Sequence, residues 1–191
     1  MFKLFTVEDT VRIPPEKFGE SINKAAKEQI RIKYENMVDE TLGYVLYIVD
    51  VDVDPVGKVI PGDGSTYHRI IFQLLTFYPE MHEVVEGEVI EVTDFGAFIR
   101  VGAEDALVHV SQIMDDYINY DERNAILIGK ESNKKLSKGD SVRARVIAVS
   151  FPRGSISGKI GLTMRQPLLG KLEWIKEETI KEEQLKKEGS S

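Results

Sequence analysis

The sequence contains no cysteine and has only three histidines and one tryptophan. Without thiols the chain can form neither a disulfide nor a thiolate zinc site, as is typical of proteins in a reducing compartment. It also lacks any run of about 18 apolar residues, the length that a membrane-spanning helix requires. The first residues lack the apolar segment and cleavage site of a signal peptide. We therefore expect a cytoplasmic protein without a membrane partner.

Positive charge is also scarce. The net charge is −7, and residues 1–80 carry 9 basic and 13 acidic side chains, residues 81–168 carry 11 and 13, and residues 169–191 carry 5 and 6. Nonspecific binders of nucleic acid gain affinity by neutralising phosphates. Any contact with nucleic acid must therefore be local and modest.

Motifs of known catalytic chemistry are missing too. The sequence has no His-Glu-x-x-His, no Gly-x-Ser-x-Gly and no phosphate-cradling loop. Asp50, Asp52 and Asp54 share one strand face, but an EF-hand loop would place Pro55 and Pro61 where it needs glycine and glutamate. We predict no catalytic site, no metal and no cofactor, and interpret the chain as a binding subunit.

The most informative pattern lies at residues 85–111. Strand-like runs at Val85–Thr93 and Ala97–Val101 flank Asp94-Phe95-Gly96, and a short third run follows at Ala106–Ser111. Valine, isoleucine and phenylalanine dominate these runs, which favours pleated, half-buried strands.

Two phenylalanines stand out within this pattern. Residues three apart in one strand point to opposite faces, but Gly96 permits a bend that brings Phe95 and Phe98 to one side. Such rings can stack unpaired bases, and an outward His109 can stack or donate to a phosphate. The alternative, that both rings are core and His109 is an ordinary surface histidine, remains open from these residues alone.

The letters G-E-V-x-x-V-x-D-F-G-A-F-I, followed by L-V-H-V-S, resemble the RNA-binding repeat named after the largest protein of the small ribosomal subunit, the S-one repeat. The resemblance spans about residues 83–166 and implies a five-stranded OB barrel. It implies contact with nucleic acid at Phe95, Phe98 and His109. The family also uses an aspartate and an arginine, and here Ser150 and Lys159 stand at those positions.

Basic residues follow the later strands of this barrel. Small apolar residues alternate through 142–148, ending at Ala148, and suit a barrel interior. The residues left outside, or in the next loop, include Arg143, Arg145, Arg153, Lys159 and Arg165. Aromatic and basic side chains together are typical of surfaces that bind single-stranded RNA. We predict RNA contacts at Phe95, Phe98, His109, Arg143, Arg145, Lys159 and Arg165.

The first eighty residues predict a helix on a small sheet. A strand at Phe2–Val11 precedes Pro14-Pro15, which can open a helix. Apolar residues then recur every four positions from Phe18 to Tyr34, which predicts an amphipathic helix of about twenty residues. Strands at Gly43–Val53 and Thr66–Tyr78 are interpreted as a hairpin.

One helix can cover only one face of such a sheet. The last strand is apolar on both faces, with Ile71, Leu75 and Phe77 on one side. Uncovered apolar surface of this size marks an interface. The cover is either a partner protein, which we favour, or the second domain folded back.

The whole chain, including its opening M-F-K-L-F-T-V-E-D-T-V-R-I-P-P, resembles the larger of the two stalk subunits of archaeal RNA polymerase, known as E-prime, whose eukaryotic counterpart is the seventh subunit of RNA polymerase II. This resemblance implies an α+β fold. It implies a truncated ribonucleoprotein-like domain at 1–80, an OB-fold barrel at 81–168, and a charged helix and tail at 169–191.

The same resemblance implies pairing with the small helical F subunit of the polymerase. It implies that the N-terminal tip docks on the polymerase core. It also implies a barrel that guides the emerging transcript and supports promoter opening and processive elongation. The docking residues are then predicted to be Pro61, Gly62, Asp63, Gly64, Ile71, Leu75 and Phe77. Two alternatives stay open, an exosome-type or translation-factor RNA-binding protein and a purely structural stalk.

Overall fold

The computed structural model describes residues 1–152 and 158–188, leaving aside the side chains of 182, 183 and 185–188. The chain forms two compact units, Met1–Tyr78 and Pro79–Ser191. The predicted α+β class is confirmed. Arg153 and the predicted tail at 189–191 lie outside the described residues. Within the described ranges, no helix is both long and apolar enough to span a membrane.

The first unit is an antiparallel sheet with a helix on one face. Its elements are β1 (Phe2–Ile13), α1 (Ile22–Tyr34), β2 (Val38–Asp39), β3 (Gly43–Val53), β4 (Lys58–Val59) and β5 (Thr66–Phe77). The strand order is β1-β5-β3-β2, and β4 pairs with the first residues of β5. The predicted pairing of the two long strands is confirmed, but β5 is central and also pairs with β1 along its whole length.

The core of this unit lies between α1 and the sheet. Ala26 and Ile30 are buried from the helix, and Phe72 and Leu74 from β5. Tyr34 packs its ring 5.1 Å from that of Phe72. These positions follow the four-residue helical spacing and the two-residue strand alternation, so the amphipathic pattern was interpreted correctly.

The helix is shorter than predicted. It has 13 residues, and the prolines open only a separate 3-10 turn at Pro15–Lys17. The chain then turns before Ser21, which adopts an extended backbone ahead of the helix. Glycine and serine disfavour helix interiors, and Gly19 lies within this turn. Phe18 is consequently outside the helix and exposed.

The second unit is a closed barrel with a small added sheet and a terminal helix. Its elements are β6 (Val84–Thr93), β7 (Gly96–Val101), β8 (Glu104–His109), β9 (Ile118–Asp121), β10 (Ile126–Gly129), β11 (Lys135–Leu136), β12 (Ser141–Ser150), β13 (Lys159–Thr163), β14 (Gly170–Lys171) and α2 (Leu172–Glu188). The order β13-β8-β7-β6-β12 closes because β12 also pairs with β13. The five-stranded OB barrel is thereby confirmed.

The barrel interior follows the predicted alternation only in part. Val142, Ala144 and Val146 are buried, as expected. Ala148 is exposed, so its predicted interior position is wrong. The pairing of β12 with β13 shifts register between Val146 and Ala148, and a bulge of this kind reverses which residues face inward.

Candidate nucleic-acid interface

A tight hairpin positions the two phenylalanines. The β6–β7 turn is held by the Thr93 hydroxyl, which donates to the Gly96 carbonyl at 3.0 Å. A Cβ on Gly96 would lie 2.2 Å from the carbonyl oxygen of Val108, so only glycine fits this approach of β7 to β8. The turn brings the rings of Phe95 and Phe98 to 6.1 Å, edge to face.

Both rings lie at the surface of the barrel. Phe95 is 46% exposed and Phe98 is half-buried. The alternative that both are core residues is therefore wrong. Their edge-to-face contact leaves the Phe95 ring accessible while Phe98 supports it from the strand, as expected for a stacking platform.

The two rings form one wall of a groove of about 620 Å³. His109 and Lys159 line the same groove, so four of the seven predicted RNA-binding residues converge there. Much of the remaining lining is apolar, including Leu107, Ile147, Val149, Ile160 and Leu162. We define this concavity as the aromatic groove.

His109 has a fixed ring orientation at the groove. Its Nδ1 lies 2.8 Å from the Ser111 hydroxyl and accepts the Ser111 backbone N–H at 3.3 Å. Because a backbone N–H can only donate, Nδ1 is an acceptor, and in the neutral imidazole the proton sits on Nε2. His109 is exposed and can therefore offer that N–H to a ligand.

Ser150 and Lys159, the predicted counterparts of the aspartate and arginine of the S-one repeat, face each other across β12 and β13. The Lys159 backbone N–H donates to the Ser150 hydroxyl at 3.1 Å, and both residues line the aromatic groove. Serine does not bring the negative charge that an aspartate would place beside this lysine. Lys159 can therefore approach a phosphate.

The three predicted arginines lie outside the groove lining and have partners of their own. Arg143 contacts Glu86 at 2.8 Å, and the Arg145 guanidinium donates to the His82 carbonyl at 3.1 Å. Both are half-buried and alternate with buried residues of β12, which agrees with the predicted position outside the barrel interior, but each already has a partner within this unit. Arg165 donates to the Ser111 carbonyl at 3.3 Å and pairs with Asp115. Acidic neighbours thus reduce the positive potential around the groove.

The predicted docking residues of the first unit separate into two regions. The turn Pro61-Gly62-Asp63-Gly64 lies just before β5, whereas Leu75 and Phe77 lie near the end of that strand. The strand from Thr66, just after the turn, to Leu75 covers nine residue steps and spans roughly 30 Å. The predicted docking residues therefore form two separate regions, the turn at 61–64, which we call the tip, and a surface of the sheet.

The sheet surface is the face of β1 and β5 opposite the helix. Phe2 is 57% and Leu4 is 63% exposed, and Leu4 pairs with half-buried Leu75. Ile71 is also exposed, farther along β5. Phe77 is buried, so its predicted place on an exposed docking face is wrong.

Neighbouring strands account for the burial of Phe77. Its ring lies 5.5 Å from that of Phe2 and 6.1 Å from that of Tyr44, one on each adjacent strand. The aromatic side chains flanking Phe77 thus cover it, even though strand alternation points it to the open side. We call Phe2, Leu4, Ile71 and Leu75 the apolar sheet face.

Asp63 organises the tip. Its carboxylate receives two hydrogen bonds from Arg12, at 3.0 and 3.1 Å, and one from the Tyr67 hydroxyl at 2.6 Å. The Arg12 guanidinium is the main reason that the pKa of Asp63 lies well below its usual range, and Tyr67 and Ser65 lower it further. The tip is a defined turn in which Arg12 compensates the negative charge of the Asp63 carboxylate.

The described residues contain no cluster of three or more acidic or histidine side chains arranged for a metal.

Comparison with known proteins is consistent over both units. Residues 8–64 match the family model described as "SHS2 domain found in N terminus of Rpb7p/Rpc25p/MJ0397", and residues 78–161 match "S1 RNA binding domain". The DNA-directed RNA polymerase subunit Rpo7 of Saccharolobus shibatae is 46% identical over 92% of this chain and 97% of its own length.

Two further relatives are also RNA polymerase subunits. Rpo7 of Sulfolobus acidocaldarius is 45% identical over 95% of this chain and 98% of its own. The DNA-directed RNA polymerase III subunit RPC8 of Bos taurus is 26% identical over 83% of this chain and 80% of its own. Among these relatives, the identity is higher to the two Rpo7 proteins than to RPC8.

Proposed function

This chain belongs to the Rpo7 family of DNA-directed RNA polymerase subunits, and from that premise we propose that its barrel holds the emerging single-stranded transcript while its first unit docks on other subunits. As a family member it is a non-catalytic subunit of a nucleotidyltransferase. The proposed site of action is the cytoplasm, where the polymerase would work in an archaeal cell.

The observation that carries the RNA-binding role is the convergence of Phe95, Phe98, His109 and Lys159 on the aromatic groove. Two rings provide stacking surface, the imidazole provides an N–H and the lysine provides a charge for phosphate. Stacking tolerates any base because every base has a π face. A subunit that follows a transcript of arbitrary sequence needs this property, which supports the proposed role in processive elongation. The proposed role in promoter opening rests on the family resemblance alone.

Binding of single-stranded RNA as a function of salt tests this role. Each phosphate contact contributes about −0.7 to the slope of log affinity against log salt for a single strand. We expect measurable binding with a shallow slope, because Lys159 lines the groove and can contact about one phosphate. No binding at any salt concentration would instead favour a purely structural stalk.

The apolar sheet face supports a protein partner, which we propose to be the small helical F subunit. Phe2 and Leu4 are well exposed on β1, next to Leu75 on β5. An amphipathic helix can bury such a surface with its own apolar stripe. The tip with Asp63, at the other end of β5, is then left for the polymerase core.

Co-expression with candidate small helical subunits tests the pairing. We expect a one-to-one complex that Leu4→Asp abolishes, because the charge would have to be buried at the interface. Ile180→Ala, an exposed apolar position on α2, is the matched control and should leave pairing intact. A well-behaved monomer that pairs with none of the candidates would contradict the proposal.

The alternative of an exosome-type or translation-factor protein shares the barrel but not the first unit. Polymerase subunits match more than nine-tenths of this chain, including that first unit. We therefore retain the polymerase assignment and not this alternative.

A further inference from the structure

A second cavity of about 580 Å³ lies in the same barrel unit. Its polar lining includes Ser111, Asp115, Asp116, Glu131 and Arg165, and it contains the aromatic ring of Tyr117. Tyr117 is 77% exposed, more than Phe95 in the aromatic groove. A tyrosine side chain this accessible buries little of its ring, and Tyr117 lines the same cavity as the Arg165 guanidinium.

The Tyr117 ring is carried on an ordered segment. The Lys130 backbone N–H donates to the Tyr117 carbonyl at 2.8 Å. Next to it, the Asp116 carboxylate accepts the backbone N–H groups of Glu131 and Ser132, at 3.1 and 2.9 Å. These bonds fix the start of β9 against the β10–β11 turn. Because the backbone is already ordered, a ligand that stacks on the ring has little backbone entropy to lose.

The second cavity and the aromatic groove lie on either side of one short turn, residues 109–112. His109 and Gln112 line the groove, whereas Ser111, between them, lines the second cavity. Ser111 contacts His109 through its hydroxyl and Arg165 through its carbonyl. A strand that crosses this turn on leaving the groove would enter the second cavity, which Tyr117 and Arg165 line.

The charges of the second cavity select for a base over a phosphate. Asp115 and Glu131 would repel a phosphate, and the Arg165 guanidinium is already paired with Asp115. A neutral base suffers no such repulsion. It can lie on the tyrosine ring, and a guanidinium plane is a second common stacking surface for RNA bases.

We propose that Tyr117 and Arg165 bind a further unpaired base of the same RNA strand whose neighbouring bases stack on Phe95 and Phe98. This inference rests on the RNA-binding role proposed above and extends the RNA track across the turn at 109–112. Tyr117 is the stacking surface, and the pair with Asp115 holds Arg165 at the same cavity.

Oligoribonucleotides of two lengths, about 4 and about 10 nucleotides, test this extension, since an OB fold covers roughly 4–16 nucleotides. Fluorescence anisotropy would compare the wild type with Tyr117→Ala, Tyr117→Phe and the control Ile180→Ala. We expect Tyr117→Ala to weaken the longer RNA at least about fivefold, as the loss of one stacked base requires. The shorter RNA, Tyr117→Phe and the control should show wild-type affinity.

The outcomes separate this inference from the proposed function. If Phe95→Ala weakens binding but Tyr117→Ala leaves the longer RNA unaffected, the RNA track ends at the groove and the inference is wrong. If Tyr117→Ala weakens both lengths equally, Tyr117 belongs to the primary site and the extension is again wrong. If neither variant changes RNA affinity, the proposed RNA-binding role itself fails. Photocrosslinking of 5-iodouridine RNA to Tyr117 gives a positive readout that does not depend on affinity.

Discussion

Replacing Phe95 by alanine removes the more accessible ring of the aromatic groove and leaves the barrel core intact. The ring is 46% exposed at a hairpin tip, and its aromatic contact is the edge-to-face pair with Phe98. Such a pair contributes about 0.5–1.5 kcal/mol beyond area burial. We therefore expect the free energy of unfolding to fall by this amount plus about 1 kcal/mol for the buried half of the side chain.

The effect on RNA affinity is expected in addition to the effect on folding. Loss of one base–aromatic stack costs about 1–3 kcal/mol, which corresponds to roughly a 5- to 150-fold increase in the dissociation constant. Phe98→Ala should have a comparable effect, and the double variant should lose less than the sum of both. The reason is that the rings touch, so removing one already disturbs the surface offered by the other.

Anisotropy titrations with a labelled single strand at fixed salt measure this effect, and urea unfolding of the same variants reports stability. Phe95→Tyr, which keeps the ring, should bind like the wild type. Phe2→Ala removes an exposed aromatic side chain from the other unit and should leave RNA affinity unchanged. Unchanged affinity of the Phe95→Ala, Phe98→Ala double variant, with the barrel folded, would falsify the assignment of the groove.

Three further predictions concern the residues that shape the two units. Gly96→Ala should lower the free energy of unfolding by about 1–3 kcal/mol in denaturant titrations, because the new methyl group overpacks against β8. Lys159→Gln should reduce the salt slope of RNA binding by about 0.7, the share of one phosphate contact. Asp63→Asn should destabilise the first unit at pH 7 in thermal unfolding. Because the folded pKa of Asp63 is depressed, this stabilisation is present above the unfolded pKa of about 3.9 and is lost as pH falls through the folded value, so wild type and variant should converge in strong acid.

Local sequence patterns were sufficient for the features that depend on neighbouring residues. The placement of Phe95 and Phe98 on one side follows from a glycine between two strand-forming runs, and the strand alternation correctly buried Val142 and Val146. Where pairing between distant strands decides the outcome, the patterns failed. The exposure of Ala148 depends on a bulge set by barrel closure against β13, which no alternation within β12 reveals.

Phe77 shows the same limit in the first unit. Along β5, Phe77 falls in the same alternating set as Ile71 and Leu75, whose side chains point to the open face of the sheet. Its burial depends on Phe2 and Tyr44, which come from the two strands that flank β5. The strand order β1-β5-β3 brings those rings together. The predicted hairpin pairs only β3 with β5 and does not place β1 beside β5. Tyr117 was missed for another reason, because a single aromatic residue in a polar connection has no periodicity to mark it.

The scarcity of free positive charge at the barrel determines how it can hold RNA. Lys159 lines the groove, whereas Arg143 and Arg165 are each paired with a carboxylate. If Lys159 makes about one ionic phosphate contact, affinity falls only about threefold between 50 and 200 mM salt, compared with about 10³–10⁵ for proteins that make six to ten contacts to duplex DNA. Most of the binding free energy must then come from stacking, which is similar for every base. Sequence-tolerant stacking with little phosphate attraction keeps a moving strand close to the barrel without fixing its register, which is what a growing transcript requires.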